Sequence, residues 1–155
     1  MDALYLPDVQ AYLRYTSLPG GQPTLVYLTG LGLAVSGTYD RCLLDPALAT
    51  HHALLVDLLG AGFSDAPEAF SYSLEDHART VVMLLEHLGL RASTIVGYSF
   101  GGAVVITLAA LRPDLVGRLV LPEPNLDPGG GALSRRIAAQ TEAEFRAAGF
   151  ARLVA

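Results

Sequence analysis

The chain has 155 residues and a formal net charge of −5, and all ten of its Lys/Arg positions are arginine. With 52% hydrophobic and 16% charged residues, against about 25% charged in an average globular protein, it can bury enough surface to fold, which argues against disorder. The acidic balance argues against a nucleic-acid partner, and the lack of lysine argues against P-loop, Schiff-base and Ser–Lys enzymes.

Apolar runs of strand length alternate along the chain with stretches of helical periodicity. The first predicted element is an edge strand within 10–16, closed by a turn at 19–21. Buried strands are predicted at 24–29, 52–57, 94–97 and 117–121. Helices are predicted at 38–49, 73–88, 101–111 and 134–145, with a turn-rich loop at 122–131. This alternation predicts an α/β fold with a mostly parallel sheet and helices on both faces.

The helix at 73–88 has the clearest pattern. Ser73 and Asp76 resemble a capping box at its start, and Gly89 provides a stop. One face is apolar at helical spacing and is predicted to be buried; it consists of Leu74, His77, Ala78, Val81, Leu85 and Leu88. The helix is therefore expected to lie against the sheet along this face.

Two features bear on compartment and on metal binding. Cys42 is the only cysteine, so an internal disulfide or a cysteine-rich metal site cannot form, and we expect no metal. The N-terminus lacks the basic start and apolar stretch of a signal peptide, so we expect a cytoplasmic protein. The uncharged run 92–111 is long enough to span a bilayer, but its paired glycines favour a strand, a turn and a helix, so we expect no membrane association.

The sequence Gly97-Tyr98-Ser99-Phe100-Gly101 follows a predicted buried strand and precedes a predicted helix. A G-x-S-x-G sequence in this setting makes a sharp strand-to-helix turn, with glycines where close packing leaves no room for a side chain. The turn holds the serine hydroxyl at the carboxyl end of the sheet and at a helix N-terminus. Ser99 is therefore the candidate nucleophile, although a strand–helix turn that merely contains serine remains the alternative.

A hydrolase that attacks an acyl group also needs backbone donors for the developing oxyanion. The N–H of Phe100 is one candidate. The second is the N–H of Leu31, because Gly30 and Gly32 allow the loop after the neighbouring strand to approach closely. The alternative is that this glycine-rich loop serves only as a turn.

Three segments together resemble a known family: TLVYLTGLG at 24–32, VDLLGAGFSDAP at 56–67 and IVGYSFGGAVV at 95–105. In this order and spacing they are similar to the N-terminal half of α/β-hydrolase-fold serine hydrolases, from about residue 10 to 127. The resemblance implies an incomplete α/β-hydrolase fold, with 1–128 as part of the core and 129–155 as the start of a cap. Thr29 departs from the family, many members of which have histidine there.

The resemblance also implies roles for individual residues. Ser99 would be the nucleophile, and Leu31 and Phe100 would donate backbone N–H groups. Gly30 and Tyr98 would lie against a small-molecule acyl substrate, and no cofactor is implied. The triad acid would be Glu123, which matches the position after the strand that follows the nucleophile helix in some relatives. Asp127, a residue beyond 155, or a purely structural role for Glu123 remain open.

No histidine follows Ser99, since the four histidines are His51, His52, His77 and His87. We expect His77 to pack on the apolar helix face and His87 to be solvated, so none is positioned as the general base. We hypothesise that the chain is part of a longer hydrolase and that it has little activity on its own. The alternative is a non-catalytic, hydrolase-like binding module.

A dinucleotide-binding oxidoreductase is a further alternative. Gly30-x-Gly32 follows a buried strand, and Asp57 ends the next strand, where a ribose-binding acid is expected. However, Val35 occupies the position of the third glycine, and the fingerprint therefore fails.

Overall fold

The computed structural model describes residues 1–127, 131–149 and 151–152. The chain forms two compact units, Met1–Pro124 and Asn125–Ala155. Within the described ranges, no helix is both long and apolar enough to cross a bilayer.

The first unit is built on a six-stranded sheet. Its strands are β1 (Asp2–Leu6), β2 (Ala11–Leu18), β3 (Gly21–Leu28), β4 (His51–Val56), β5 (Ser93–Gly97) and β6 (Val116–Val120). Their spatial order is β1-β2-β4-β3-β5-β6. The β3–β4, β3–β5 and β5–β6 pairs are parallel, whereas β1–β2 and β2–β4 are antiparallel. The prediction of a mostly parallel sheet is confirmed.

Helices cover both faces of this sheet, as predicted. They are α1 (Val35–Leu43), α2 (Leu74–His87) and α3 (Phe100–Leu111). The larger core lies between the sheet and α2 and α3 and includes Leu28, Val56, Leu84, Ile95 and Leu108. A smaller core lies under α1, where Tyr39 packs against Tyr27 and Leu55. The helix predicted at 38–49 begins three residues earlier, at Val35, and ends at Leu43. It is shorter than predicted because the segment after it forms turns around Asp45.

The caps predicted for α2 are present in part, because the Ser73 N–H donates to the Ser71 hydroxyl at 3.1 Å and not to Asp76, so the reciprocal half of a capping box is not formed. The Ser73 hydroxyl accepts the N–H of Asp76 at 3.1 Å, and Gly89 has φ 65° beyond the helix end. Along the predicted buried face, His77, Ala78, Val81 and Leu85 are buried and Leu88 is partly buried. Leu74 is 39% exposed, contrary to the prediction, because it is the first helical residue and precedes the turn that contacts the core.

At the sheet edges, one strand is missing from the predictions and two predictions are wrong. Strand β1 was not predicted, and β2 is not an edge strand because β1 and β4 pair with its two sides. Strand β6 was expected to be buried, but three of its five residues are exposed. Within the described residues β6 pairs only with β5, and a strand without a second neighbour keeps its outer side open to solvent.

The second unit contains α4 (Ala132–Ala138) and α5 (Glu142–Glu144), which continues as a π-helical turn at Phe145–Gly149. The single helix predicted at 134–145 is therefore wrong. Thr141 breaks it, since its hydroxyl caps the N–H of Glu144 and the Glu144 carboxylate accepts the N–H of Thr141. Of the turn-rich loop predicted at 122–131, residues 128–130 lie outside the described residues.

Candidate active site

Ser99 lies at the junction of β5 and α3 with φ 52° and ψ −116°. Side chains other than glycine rarely adopt positive φ, and such a residue persists only where its surroundings enforce the conformation. Its N–H donates to the carbonyl of Pro122 at 3.2 Å, which ties the turn to the loop after β6. The half-buried Ser99 side chain makes no hydrogen bond to any other described residue.

The glycines around Ser99 lie where a Cβ atom has no space. A Cβ at Gly97 would lie 2.7 Å from the carbonyl oxygen of Gly101. At Gly101 it would lie 2.5 Å from the Thr29 carbonyl oxygen, and at Gly102 2.8 Å from Pro124. These contacts press the first turn of α3 against both neighbouring loops. The conformation of Ser99 is thus imposed by packing on three sides.

Side chains of α1 form hydrogen bonds to the end of β3 and to the loop that follows it. The Tyr39 hydroxyl donates to the Leu28 carbonyl at 2.9 Å, and burial raises the pKa of Tyr39 to about 12, so it remains a donor at neutral pH. The hydroxyls of Thr29 and Thr38 lie 2.7 Å apart and share a hydrogen bond. Thr29, the departure from the family pattern, therefore anchors the loop through a helix hydroxyl.

The turn that follows carries the candidate backbone donor Leu31. The N–H of Leu33 donates to the Gly30 carbonyl at 3.3 Å, which closes the turn, and Gly32 within it has φ 70°. A Cβ at Gly30 would lie 3.4 Å from the Tyr98 ring. The structure therefore brings together Gly30 and Tyr98, the two residues expected to line a substrate.

Asp57 joins this loop region to the next loop along the sheet. Its buried carboxylate accepts the N–H of Val35, at the start of α1, at 2.8 Å and the N–H of Phe63 at 3.0 Å. A Cβ at Gly62 would lie 2.3 Å from the carboxylate carbon, so only glycine fits there. Both carboxylate oxygens are thus occupied by backbone donors, and Asp57 is not free to bind a ribose.

Two further residues of the segment 56–67 connect the loop after β4 to β2 by hydrogen bonds. Ser64 donates its hydroxyl to the Asp57 carbonyl at 2.6 Å and accepts the N–H of Arg14 at 2.7 Å. Asp65 accepts the N–H of Tyr12 at 2.8 Å. These structural roles were not predicted, because the partners are fifty or more residues away in sequence.

Glu123 lies in the loop that contacts the serine turn. The preceding residue, Pro122, accepts the N–H of Ser99, and Pro124 limits the space at Gly102. Glu123 itself has φ 45° and an exposed side chain that makes no hydrogen bond within the described residues. The backbone of Glu123 therefore lies beside the serine turn, while its carboxylate has no hydrogen-bond partner among the described residues. Asp127 belongs to the second unit.

The histidines are distributed largely as expected. His51 and His52 begin β4, at the end of the sheet opposite Ser99, and His52 hydrogen-bonds to Ser17 and Thr24 at 2.9 and 3.0 Å. His87 is exposed at the end of α2. No histidine hydrogen-bonds to Ser99 in the described part of the chain.

His77 is buried, with 3% of its surface exposed. Its ring packs against Phe70, Tyr72 and Phe100, with centroid distances of 5.0, 5.9 and 5.4 Å. Burial lowers the pKa of His77 to about 4, although nearby Asp76 opposes the shift. The imidazole is therefore neutral at pH 7.

A cavity of about 130 Å³ joins several of these residues. Its walls include Gly30, Leu31 and Phe100, which were predicted for the site, and also His77, which was predicted only as a core residue. The loops after β3 and β4 and the first turn of α3 thus meet at one cavity. Across residues 1–127, 131–149 and 151–152, no group of three His, Cys, Asp or Glu residues could hold a metal ion.

A mostly parallel sheet with a strained serine between a strand and a helix defines a recognisable class. The sequence model described as alpha/beta hydrolase fold matches residues 23–153. The chain belongs to the alpha/beta hydrolase fold family.

Individual relatives carry the names of hydrolases. Esterase Rv0045c of Mycobacterium tuberculosis is 39% identical over 105 residues, which are 66% of this chain and 33% of that protein. A 2-hydroxymuconate semialdehyde hydrolase of Pseudomonas putida is 38% identical over 72 residues, 46% of this chain and 26% of that protein. The chain spans about a third of the length of the curated relatives it matches.

A solved structure gives the same result for the fold. The crystal structure of a hydrolase from Pseudomonas aeruginosa has a TM-score of 0.76 and 31% identity, covering 96% of this chain and 57% of that chain. The chain therefore contains part of the fold that the longer protein has.

Proposed function

We propose that this chain carries the nucleophile and the oxyanion donors of a serine hydrolase that acts on esters or similar small acyl compounds. The conformation of Ser99 carries the proposal, because packing at three glycines holds a non-glycine residue at φ 52°. Such strain of about 1–3 kcal/mol is typical of functional positions. The names of relatives, among them an esterase and a semialdehyde hydrolase, support hydrolysis as the reaction class.

The proposed reaction begins with attack by the Ser99 hydroxyl oxygen on the acyl carbon. The carbonyl electron pair moves onto its oxygen, and the N–H groups of Phe100 and Leu31 stabilise the resulting oxyanion. When the carbonyl re-forms, the bond to the leaving group breaks and that group receives the serine proton through a general base. Water then repeats the sequence to release the acid and restore Ser99.

The described residues do not supply the general base that this reaction needs. Histidine normally receives the serine proton, and no histidine follows Ser99 in the sequence. We propose that the base comes from polypeptide outside these 155 residues, and that Glu123, in the loop beside the serine turn, orients it. The share of the relatives that the chain covers, about a third, supports this proposal.

Labelling with a fluorophosphonate probe tests the nucleophile. We expect only slow covalent modification at Ser99, because the described residues supply no general base to activate it. The modification is located by peptide mass spectrometry after long incubation, and it should be absent in Ser99→Ala. Ser36→Ala is the matched control, since Ser36 is exposed on α1 and its loss should leave labelling unchanged. A wild-type chain that stays unlabelled would favour either the alternative, a hydrolase-like binding module, or a part of a hydrolase that is inert without its base.

Turnover tests the missing base separately. Removal of triad members in a serine protease costs on the order of 10⁴–10⁶ in rate, so the chain should hydrolyse p-nitrophenyl acetate very slowly. Rapid hydrolysis that Ser99→Ala abolishes would contradict the proposal that the base lies elsewhere.

A further inference from the structure

The cavity beside the candidate oxyanion donors contains one polar side chain without a partner. His77 lines it, and neither ring nitrogen hydrogen-bonds to another described residue. Nδ1 is fully buried and unpartnered. The other polar side chain in the wall, Tyr72, already donates its hydroxyl to the Pro67 carbonyl at 3.1 Å.

Buried polar groups in folded proteins are nearly always hydrogen-bonded. A neutral imidazole has one N–H donor and one lone pair, on different ring nitrogens. The nitrogen that meets a ligand therefore either donates or accepts, and a hydroxyl group can satisfy either case. Three aromatic neighbours of His77 fix its ring from the sides, namely Phe70, Tyr72 and Phe100. Because Nδ1 is enclosed by protein, a ligand in the cavity can meet His77 only through Nε2.

The size of the cavity limits that ligand. A volume of about 130 Å³ has room for several water molecules or for a short chain of heavy atoms, since one water needs about 10–15 Å³ of such space. The remaining wall is apolar or backbone, as at Leu58, Leu59 and Ala61. A short carbon chain with a single hydroxyl or oxo group matches both the volume and the lining.

We propose that this cavity is an acyl subsite, and that His77 selects short acyl groups bearing one hydroxyl or oxo oxygen. The proposal rests on the proposed function, because Leu31 and Phe100, the donors assigned to the acyl oxygen, form part of the same wall. With the acyl oxygen at these donors, a short acyl tail extends into the cavity and its own oxygen meets Nε2 of His77. His77 is thus a specificity-determining residue.

Two unreactive amides test the subsite without requiring turnover. 3-Hydroxybutanamide and 3-methylbutanamide differ only in that a hydroxyl replaces a methyl group, and each has a four-atom tail. Titration is followed by the imidazole ¹⁵N signals of His77 in the wild-type chain and by backbone amide signals in every variant. We expect the hydroxy amide to bind about tenfold more tightly to the wild-type chain, as one hydrogen bond implies.

Variants assign the preference to His77. His77→Phe keeps an aromatic ring among its neighbours and removes both nitrogens, so the tenfold preference should disappear. His77→Gln, which retains a donor and an acceptor, should restore part of it. His87→Leu, on the exposed side of the same helix, should bind both amides as the wild-type chain does.

Several results would overturn the subsite. Equal binding of the two amides to the wild-type chain would do so, as would an unchanged preference in His77→Phe. A water molecule that stays in contact with the His77 ring at saturating amide would show that water alone occupies the site. Fluorophosphonate labelling of Ser99 after long incubation is a separate measurement. Labelling without discrimination between the amides rejects only the subsite, and discrimination without any labelling counts only against the nucleophile assigned to Ser99.

Discussion

Ser99 combines two properties that rarely occur together in one residue. Its backbone is held in a strained conformation, and its hydroxyl has no hydrogen-bond partner among the described residues. A structural serine at a helix start normally caps the helix with its side chain, as Ser73 does at α2. The contrast between Ser73 and Ser99 supports the proposal that Ser99 is the nucleophile.

Gly101→Ala tests whether close packing enforces the serine turn. The added Cβ would lie 2.5 Å from the Thr29 carbonyl oxygen and 2.9 Å from that of Leu28, so backbone must move. We expect the free energy of unfolding to fall by about 1–3 kcal/mol and labelling of Ser99 to slow, because the candidate oxyanion loop is displaced. Urea unfolding and probe labelling measure the two effects.

The matched control for this substitution is Gly37→Ala. Gly37 lies within α1, and no atom lies within 4 Å of its added Cβ. Alanine is the better helix former by about 1 kcal/mol, so the control should be neutral or more stable. Equal unfolding energies for the two variants would contradict the packing argument.

His77 predicts a specific pH dependence of stability. Burial lowers the pKa of His77 to about 4, so between about pH 6.5 and 4 the unfolded chain binds a proton that the folded chain excludes. The free energy of unfolding therefore keeps its full value above about pH 6.5 as far as His77 is concerned. It decreases as the pH falls, by about 2 kcal/mol at pH 5. Urea unfolding at pH 7 and pH 5 measures this loss.

Comparison with His77→Phe isolates the effect. Carboxylates whose pKa values are lowered, such as Asp114, titrate in both proteins and cancel in the difference. The variant should therefore lose about 2 kcal/mol less than the wild-type chain between the two pH values, whereas His87→Leu should behave as the wild-type chain does. Parallel pH profiles for wild type and His77→Phe would show that His77 is not buried in neutral form.

At the scale of elements, α1 positions the candidate oxyanion loop. It supplies the hydroxyls of Thr38 and Tyr39 to the end of β3, and its own first N–H group is held by Asp57. A carboxylate at a helix N-terminus is also favoured by the helix dipole. Asp57 therefore stabilises the loop indirectly, through the helix that holds it.

Asp57→Asn should weaken this arrangement. One carboxylate oxygen becomes an amide that faces the N–H of either Val35 or Phe63, leaving a buried donor without an acceptor. A loss of about 1–3 kcal/mol in the free energy of unfolding is expected, together with slower labelling of Ser99. Asp40→Asn, an exposed change on the same helix, should stay within about 0.5 kcal/mol of wild type. A similar result for both variants would contradict the role of Asp57.

The sequence predicted those elements whose formation depends on residues close to one another along the chain. The capped helix α2, the strands β3, β4 and β5, and the glycine-flanked turn at Ser99 all follow from short-range spacing. Strand β1 was missed because its pairing with β2 is not marked by a turn glycine or by strict alternation. The contact of His77 with Phe100 was missed because it joins two helices that are separated by a strand.

At the scale of the whole molecule, one face of the sheet in the first unit is incompletely covered by the described helices of that unit. Beyond α1, a groove of about 780 Å³ runs over β3, β5 and β6 and is lined by side chains such as Leu25, Val96 and Val120. Val120 is 41% exposed on β6, which pairs with β5 alone among the strands the structure describes. An apolar groove next to an open strand edge favours association with other polypeptide.

The chain is therefore expected to self-associate, and Val120→Lys should reduce this association. A lysine on an edge strand opposes pairing of that edge with another strand, since its charge would have to be buried. Size-exclusion chromatography with light scattering should show concentration-dependent oligomers for wild type and a shift towards monomer for the variant. Met83→Lys is the control, because Met83 is similarly exposed, at 37%, but lies on α2 on the opposite face of the sheet. A wild-type chain that stays monomeric at all concentrations, with a sharp and reversible melt, would show that the open edge and groove do not drive association.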